Sequence, residues 1–156
     1  MDENAYIRAV LKDLSAWQGR TGERLITSVF VGGGTPSLMS GRALGHLLEE
    51  ADKLFPFASD CEITLEANPG TVDESRFTAF RKAGVNRLSL GVQSFMDEKL
   101  RRLGRIHSAS DALRAAETAA EVFENFNLDV MFALPGETLE EIETEVARAV
   151  GTGATH

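Results

Sequence analysis

The chain has 156 residues, 43% of them hydrophobic and 26% charged, enough to bury one sizeable core and unlike a disordered or fibrous sequence. Asp and Glu outnumber Lys and Arg by 24 to 16, and the resulting net charge of −8 argues against a phosphate backbone as partner, so nucleic acid is set aside. The longest apolar runs, such as Leu25 to Val31, stop well short of the roughly 20 residues that a membrane span requires.

The chain opens with Met1-Asp2-Glu3-Asn4-Ala5, acidic and without a small-residue cleavage site, which is not a secretory signal and predicts a cytoplasmic location. Tyr6, Val10, Leu11, Leu14 and Trp17 then fall at helical spacing until Gly19 and Gly22, so an amphipathic helix is expected first. Thr27 to Val31 is β-branched and aromatic and runs into Gly32-Gly33-Gly34-Thr35-Pro36, where a strand must end. Leu44, Leu47, Leu48, Ala51 and Leu54 mark a second helix that Ser40 is placed to cap. The unit repeats. Cys61 to Glu66 reads as a strand, Asn68-Pro69-Gly70 as a loop and Thr71 to Glu74 as a capping box before a helix carrying Phe77 and Phe80. Gly84 suits the end of that helix, and Asn86 to Val92 begins the next strand, closed by Gln93 and Ser94. A polar stretch reaches His107. Leu113, Ala116, Ala120 and Phe123 then mark a helix, and Asn127 to Phe132 a strand closed by Pro135 and Gly136. Thr138 to Glu141 is a second capping box, opening a helix expected to turn Ile142, Val146, Ala149 and Val150 inward.

Strand and helix therefore alternate at least four times, which predicts an α/β fold with a parallel sheet. Ligands of such sheets sit at the carboxyl ends of the strands. The unusual residues are there: Gly32 to Thr35, Glu66 to Pro69, Gln93 and Ser94, and Asp129 in the fourth strand. The glycines let a ligand approach the backbone closely, although a plain tight turn would use them as well. They do not fit the dinucleotide fingerprint, because Thr35 and Pro36 follow, nor a phosphate loop, because no Gly-Lys-Ser/Thr follows. Glu66 can accept from an amine or from ribose hydroxyls, or be a solvated strand-end carboxylate. Gln93 offers a donor and an acceptor one unit later, as an ordinary loop amide also would. Asp129 lies between Leu128 and Val130, where burial would be costly unless it bound something. Arg105 suits a ligand carboxylate, or is a surface arginine like its neighbours Arg101 and Arg102. His107 and His46 are expected to be solvated. Cys61, the only cysteine, rules out an internal disulfide and any site built from several thiolates of this chain.

Four stretches in one order carry a resemblance: Val31 to Ser37, Glu62 to Gly70, Arg87 to Phe95, and Asn127 to Gly136. Together they resemble the radical S-adenosylmethionine (SAM) family, in the group formed by oxygen-independent coproporphyrinogen oxidases and heme chaperones. Glu66-Ala67-Asn68-Pro69, Val92-Gln93-Ser94-Phe95 and Gly104-Arg105-Ile106-His107 look more like the heme-chaperone branch. The resemblance implies a partial (β/α) barrel, of which residues 1–156 are a single internal fragment, truncated at both ends. It further implies that Gly32, Gly33, Gly34 and Thr35 lie along the methionyl part of SAM and that Glu66 accepts from its amino group. Arg105 would pair with its carboxylate, and Gln93 and Asp129 would hold the ribose hydroxyls.

The departure concerns the [4Fe-4S] cluster, which the family holds on a CxxxCxxC loop after the first barrel strand. Cys61 matches no ligand position, so the cluster is expected only in the intact parent, together with heme or a porphyrinogen as its further ligand. The fragment alone is expected to be inactive and to present two unpaired sheet edges. The rival readings are the coproporphyrinogen oxidase itself, which decarboxylates two propionates, and an unrelated α/β nucleotide-binding domain.

Overall fold

The computed structural model describes residues 2–22 and 24–156; Met1, part of the acidic opening run, and Glu23 lie outside the described residues. The elements follow in the expected order, with one helix (α4) added: α1 (Glu3–Thr21), β1 (Ile26–Val31), α2 (Gly41–Leu54), β2 (Phe57–Ala67), α3 (Glu74–Lys82), β3 (Arg87–Gln93), α4 (Asp97–Arg102), α5 (Ala109–Val122), β4 (Phe126–Val130) and α6 (Leu139–Gly151). The strands form one parallel sheet in the order β1-β2-β3-β4.

Side chains alternate between the two faces of a strand, and the register makes that alternation continuous across the sheet. Val31 lies beside Leu65, Leu65 beside Leu88, and Leu88 beside Phe126. These residues, with Ala67, Leu90 and Val92, face α2, α3 and α5 and form the core with Leu44, Leu48, Phe77, Phe80, Ala112, Ala116, Ala119 and Phe123. Phe77 meets Phe123 edge-on at 6.1 Å between centroids. At Gly41 a Cβ would stand 2.8 Å from that of Ala79, so α2 and α3 touch backbone to backbone there.

Helix starts follow local capping chemistry. Ser40 caps α2 through Ala43 N, and Thr138 with Glu141 forms the expected capping box of α6. The cap of α3 is Asp73, which accepts from Arg76 N. The box expected at Thr71 is displaced because Thr71 ends a 3-10 turn and bonds to Ser37 and to Asn68 O instead.

Several expectations are corrected. The polar stretch after Gln93 contains α4, whose inner face is Lys99 and Leu100; a buried lysine hid its periodicity. Helix α5 turns Ala112, Ala115, Ala116 and Ala119 inward, while Leu113 and Ala120 are exposed. Helix α6 buries Glu145 and leaves Val146 and Val150 exposed. Tyr6 and Trp17 of α1 are about half exposed, and Ile7 is the buried residue of that helix. One sheet edge is also less bare than expected. Thr155 N donates to Phe126 O (3.0 Å) and Leu128 N to His156 O (3.1 Å), so the last two residues lie along β4. No helix among the described residues is long and apolar enough to cross a membrane.

Candidate functional site

The second face of the sheet is polar. Thr64 lies beside Arg87, Glu66 beside Ser89, and Ser89 beside Asn127, so Glu62, Thr64, Glu66, Arg87, Ser89, Gly91, Asn127 and Asp129 share one side. They form a network across three strands. Arg87 donates to Thr64 Oγ1 (3.3 Å) and Asn127 Oδ1 (2.9 Å) and lies 3.6 Å from Glu62. Asn127 Nδ2 in turn donates to Ser89 Oγ (3.1 Å) and Asp129 Oδ1 (2.9 Å), and Ser89 Oγ donates to Asp129 Oδ2 (3.4 Å). Asp129 is exposed. Its carboxylate is therefore held by neighbours rather than buried, and the burial cost expected for it does not arise.

Glu66 closes the same face at the end of β2. Its Oε2 accepts from Gly33 N at 3.1 Å, so the carboxylate and the glycine turn hold each other. A Cβ on Gly32 would fall 2.8 Å from Phe30 Cε1 and 3.1 Å from the Glu66 carboxylate, so a side chain there would displace the Phe30 ring or the carboxylate. Gly33 and Gly34 take positive φ, 87° and 61°. Thr35 precedes a 3-10 turn (Pro36–Leu38), and Gly32 to Thr35 line the end of a groove of about 1000 Å3 between α1 and β1.

At the tip of β3, Gln93 adopts φ 66°, rare for a residue with a side chain, and the register of β3 against β4 shifts between Leu90 and Gln93. A Cβ on Gly91 would lie 3.3 Å from Gln93 Nε2 and 3.2 Å from Asn68 Oδ1. Both amides thus lie over the bare backbone of Gly91, on the polar face. Glu66, Gln93 and Asp129 are brought to one side of the sheet.

Arg105 stands apart. It follows Gly104 (φ 68°), and its backbone N donates to Leu100 O at the end of α4. Among the described residues no hydrogen bond or ion pair ties its guanidinium to Glu66, Gln93 or Asp129. The neighbouring His107 is buried, not solvated as expected, and its Nε2 donates to Val92 O at 3.0 Å, which fixes this loop to the carboxyl end of β3. His46 is exposed. Arg87, Ser89 and Asn127 were not among the predicted site residues, nor was Asn68 assigned a role. Their signal is the polar alternation 62-64-66, 87-89-91 and 127-129 along three strands.

Among the described residues no cluster of His, Cys, Asp or Glu can hold a metal ion. Cys61 is buried in β2, and desolvation with the nearby charge of Asp60 pushes its thiol pKa up, away from the thiolate that iron requires.

Comparison with known proteins is consistent with this geometry. The Radical SAM superfamily profile matches residues 10–149. The heme chaperone HemW of Escherichia coli (strain K12) is 46% identical over 97% of this chain, which spans 40% of that protein. The radical S-adenosyl methionine domain-containing protein 1, mitochondrial, of Bos taurus is 42% identical over 88% of the chain and 31% of its own length. The solved structure of coproporphyrinogen III oxidase HemN from Escherichia coli superposes with a TM-score of 0.84 at 25% identity, over 97% of this chain and 35% of that one. The chain thus spans about two fifths of the curated relatives first compared, and the reading as an unrelated nucleotide-binding domain is overturned. A parallel α/β sheet with a polar face, the glycine turn locked to Glu66 and this profile match identify the chain as a member of the Radical SAM superfamily.

Proposed function

We propose that this chain is the SAM-binding segment of a heme-chaperone-like radical SAM protein whose complete form binds a [4Fe-4S] cluster, SAM and heme. The observation that carries the reading is 46% identity over nearly the whole chain to a heme chaperone, against 25% to the oxidase structure. The competing oxidase reading draws its support from the TM-score of 0.84 to that same structure.

The residues present fit SAM. A glycine turn open to close backbone approach, a carboxylate beside it, two amides over a bare glycine and a second, oriented carboxylate form the donor set that a zwitterionic nucleoside needs. In this reading Gly32 to Thr35 run along the methionyl part and Glu66 accepts from its ammonium through Oε1, the oxygen not engaged by Gly33. Gln93 and Asp129 bind the ribose hydroxyls, and Arg105 takes the carboxylate. When bound, SAM supplies the 5′-deoxyadenosyl group on which the radical chemistry of this superfamily runs. The cluster does not fit the residues of this chain. With one buried cysteine, its ligands belong to another part of the complete protein, and no step is assigned to it here.

Two measurements test the reading. In the complete protein, Glu66→Gln and Asp129→Asn should each weaken SAM binding about tenfold or more, the worth of a charge-assisted hydrogen bond, without lowering Tm. Unchanged affinity in both would remove the site. Separately, the protein should transfer heme and form no protoporphyrinogen; turnover would establish the oxidase instead.

A further inference from the structure

Glu145 stands out among the buried charges. It is 2% exposed on α6, at a position on the inward face where apolar side chains were expected, and among the described residues its Oε2 has no hydrogen-bond partner. A buried carboxylate that is only half satisfied costs stability that an apolar residue would not. Its other oxygen does something specific. Oε1 accepts from Ser94 Oγ and from Phe95 N (3.3 Å), the two residues that follow Gln93. Ser94 Oγ also accepts from Met96 N (3.0 Å), and Arg148, one turn along α6, donates to Phe95 O at 2.8 Å. Lys99 compensates the charge, with Nζ 3.9 Å from Glu145 Oε1 and 2.6 Å from Glu137 Oε1.

On the other side of Gln93 the backbone is fixed by β4, through Met131 N donating to Gln93 O at 2.9 Å. Gln93 is thus held from both directions in a left-handed conformation that a glutamine does not choose alone. That conformation places Nε2 over Gly91, beside Asn68.

We propose that Glu145, 52 positions after Gln93 and outside every strand-tip motif, is the positioning residue that clamps Ser94 and Phe95 and thereby aims the Gln93 amide across the polar face at the ligand ribose. The inference rests on the reading that Gln93 contacts that ribose. Arg148 secures the same loop from its carbonyl side, so the second half of α6 acts as the back wall of a site whose front it does not touch.

The test is a double-mutant cycle on SAM affinity, measured by anaerobic equilibrium dialysis on the complete, cluster-loaded protein. Gln93→Ala and Glu145→Ala should each weaken binding, roughly tenfold, and the double variant should be no weaker than either alone, because one acts through the other. Glu145→Gln retains an acceptor for Ser94 and Phe95 and should restore most of the affinity. If Glu145→Ala does not fold, Ser94→Ala removes one strand of the clamp and should reproduce a smaller loss that also vanishes in the Gln93→Ala background. A loss from Glu145→Ala that adds fully to that of Gln93→Ala, or a lowered Tm with unchanged affinity, overturns the proposal while leaving the ribose reading intact. An unchanged affinity in Gln93→Ala alone overturns the ribose reading, and the positioning role falls with it.

Discussion

The two faces of the sheet are made from the same four strands yet obey different rules. On one, Leu65, Leu88, Leu90 and Phe126 are at most 1% exposed and owe their positions to the helices packed on them. On the other, Arg87, Ser89, Asn127 and Asp129 owe theirs to one another, through hydrogen bonds that cross β2, β3 and β4. A parallel sheet usually reads as continuous apolar runs because both its faces are covered; here polar residues alternate at period two, so one face is packed under helices and the other carries a hydrogen-bonded network.

The sharpest way to break this comparison is a pair of substitutions. Phe77→Ala, on the helix-covered side, should cost about 3–5 kcal/mol, whereas Asp129→Asn, exposed on the polar side, should stay within about 0.5 kcal/mol. Urea unfolding at constant m measures both, and similar losses would mean that the two faces are not separate in function. A smaller effect is expected of Arg87→Met. It strips Thr64, Asn127 and Glu62 of their shared cation and should cost about 1–2 kcal/mol, with a loss of SAM affinity because Asn127 no longer fixes Asp129. Retained affinity would uncouple Arg87 from the site.

A further effect is in pH dependence, at the link between α4 and α6. The hydrogen bond from Lys99 holds the Glu137 carboxyl below its ordinary value of 4.5. Burial alone would lower the Lys99 ammonium, but its hydrogen bond to Glu137 and the charges of Glu145, Glu137 and Glu141 outweigh it, and its pKa stands above 10.5. A depressed acid stabilises above its unfolded pKa and loses that contribution as pH falls through the folded one; a raised base does so in the opposite sense. The pair therefore stabilises most between pH 4.5 and 10.5. Lys99→Met should lower Tm in that range and flatten its decline on both sides. An unchanged Tm profile would show that this link adds nothing to the packing of α6.

Much of this was legible before the structure. Strand-and-helix alternation gave the α/β order, and the strand tips located Glu66, Gln93 and Asp129 because breaks in apolar patterning coincide with unusual residues there. What failed had a common cause. Lys99 and Glu145 occupy inward positions where periodicity anticipates apolar side chains, so α4 was missed and the inner face of α6 was misassigned. Small residues misled as well, since α5 packs through four alanines and its larger Leu113 points to solvent. Asp129 was singled out through a burial argument that does not hold, for its alternation partners Ser89 and Asn127 satisfy it in the open. Nothing local marks Glu145 as the partner of Ser94, because the contact spans 51 residues.

That span has a consequence for synthesis. The bonds that finish the polar face join residues 38 to 40 positions apart, and the Ser94–Glu145 bond behind it spans 51, so in synthesis β2 and β3 precede the partners that complete both. The polar network is therefore completed only when β4 docks against strands made well before it, and the clamp behind it only when α6 follows.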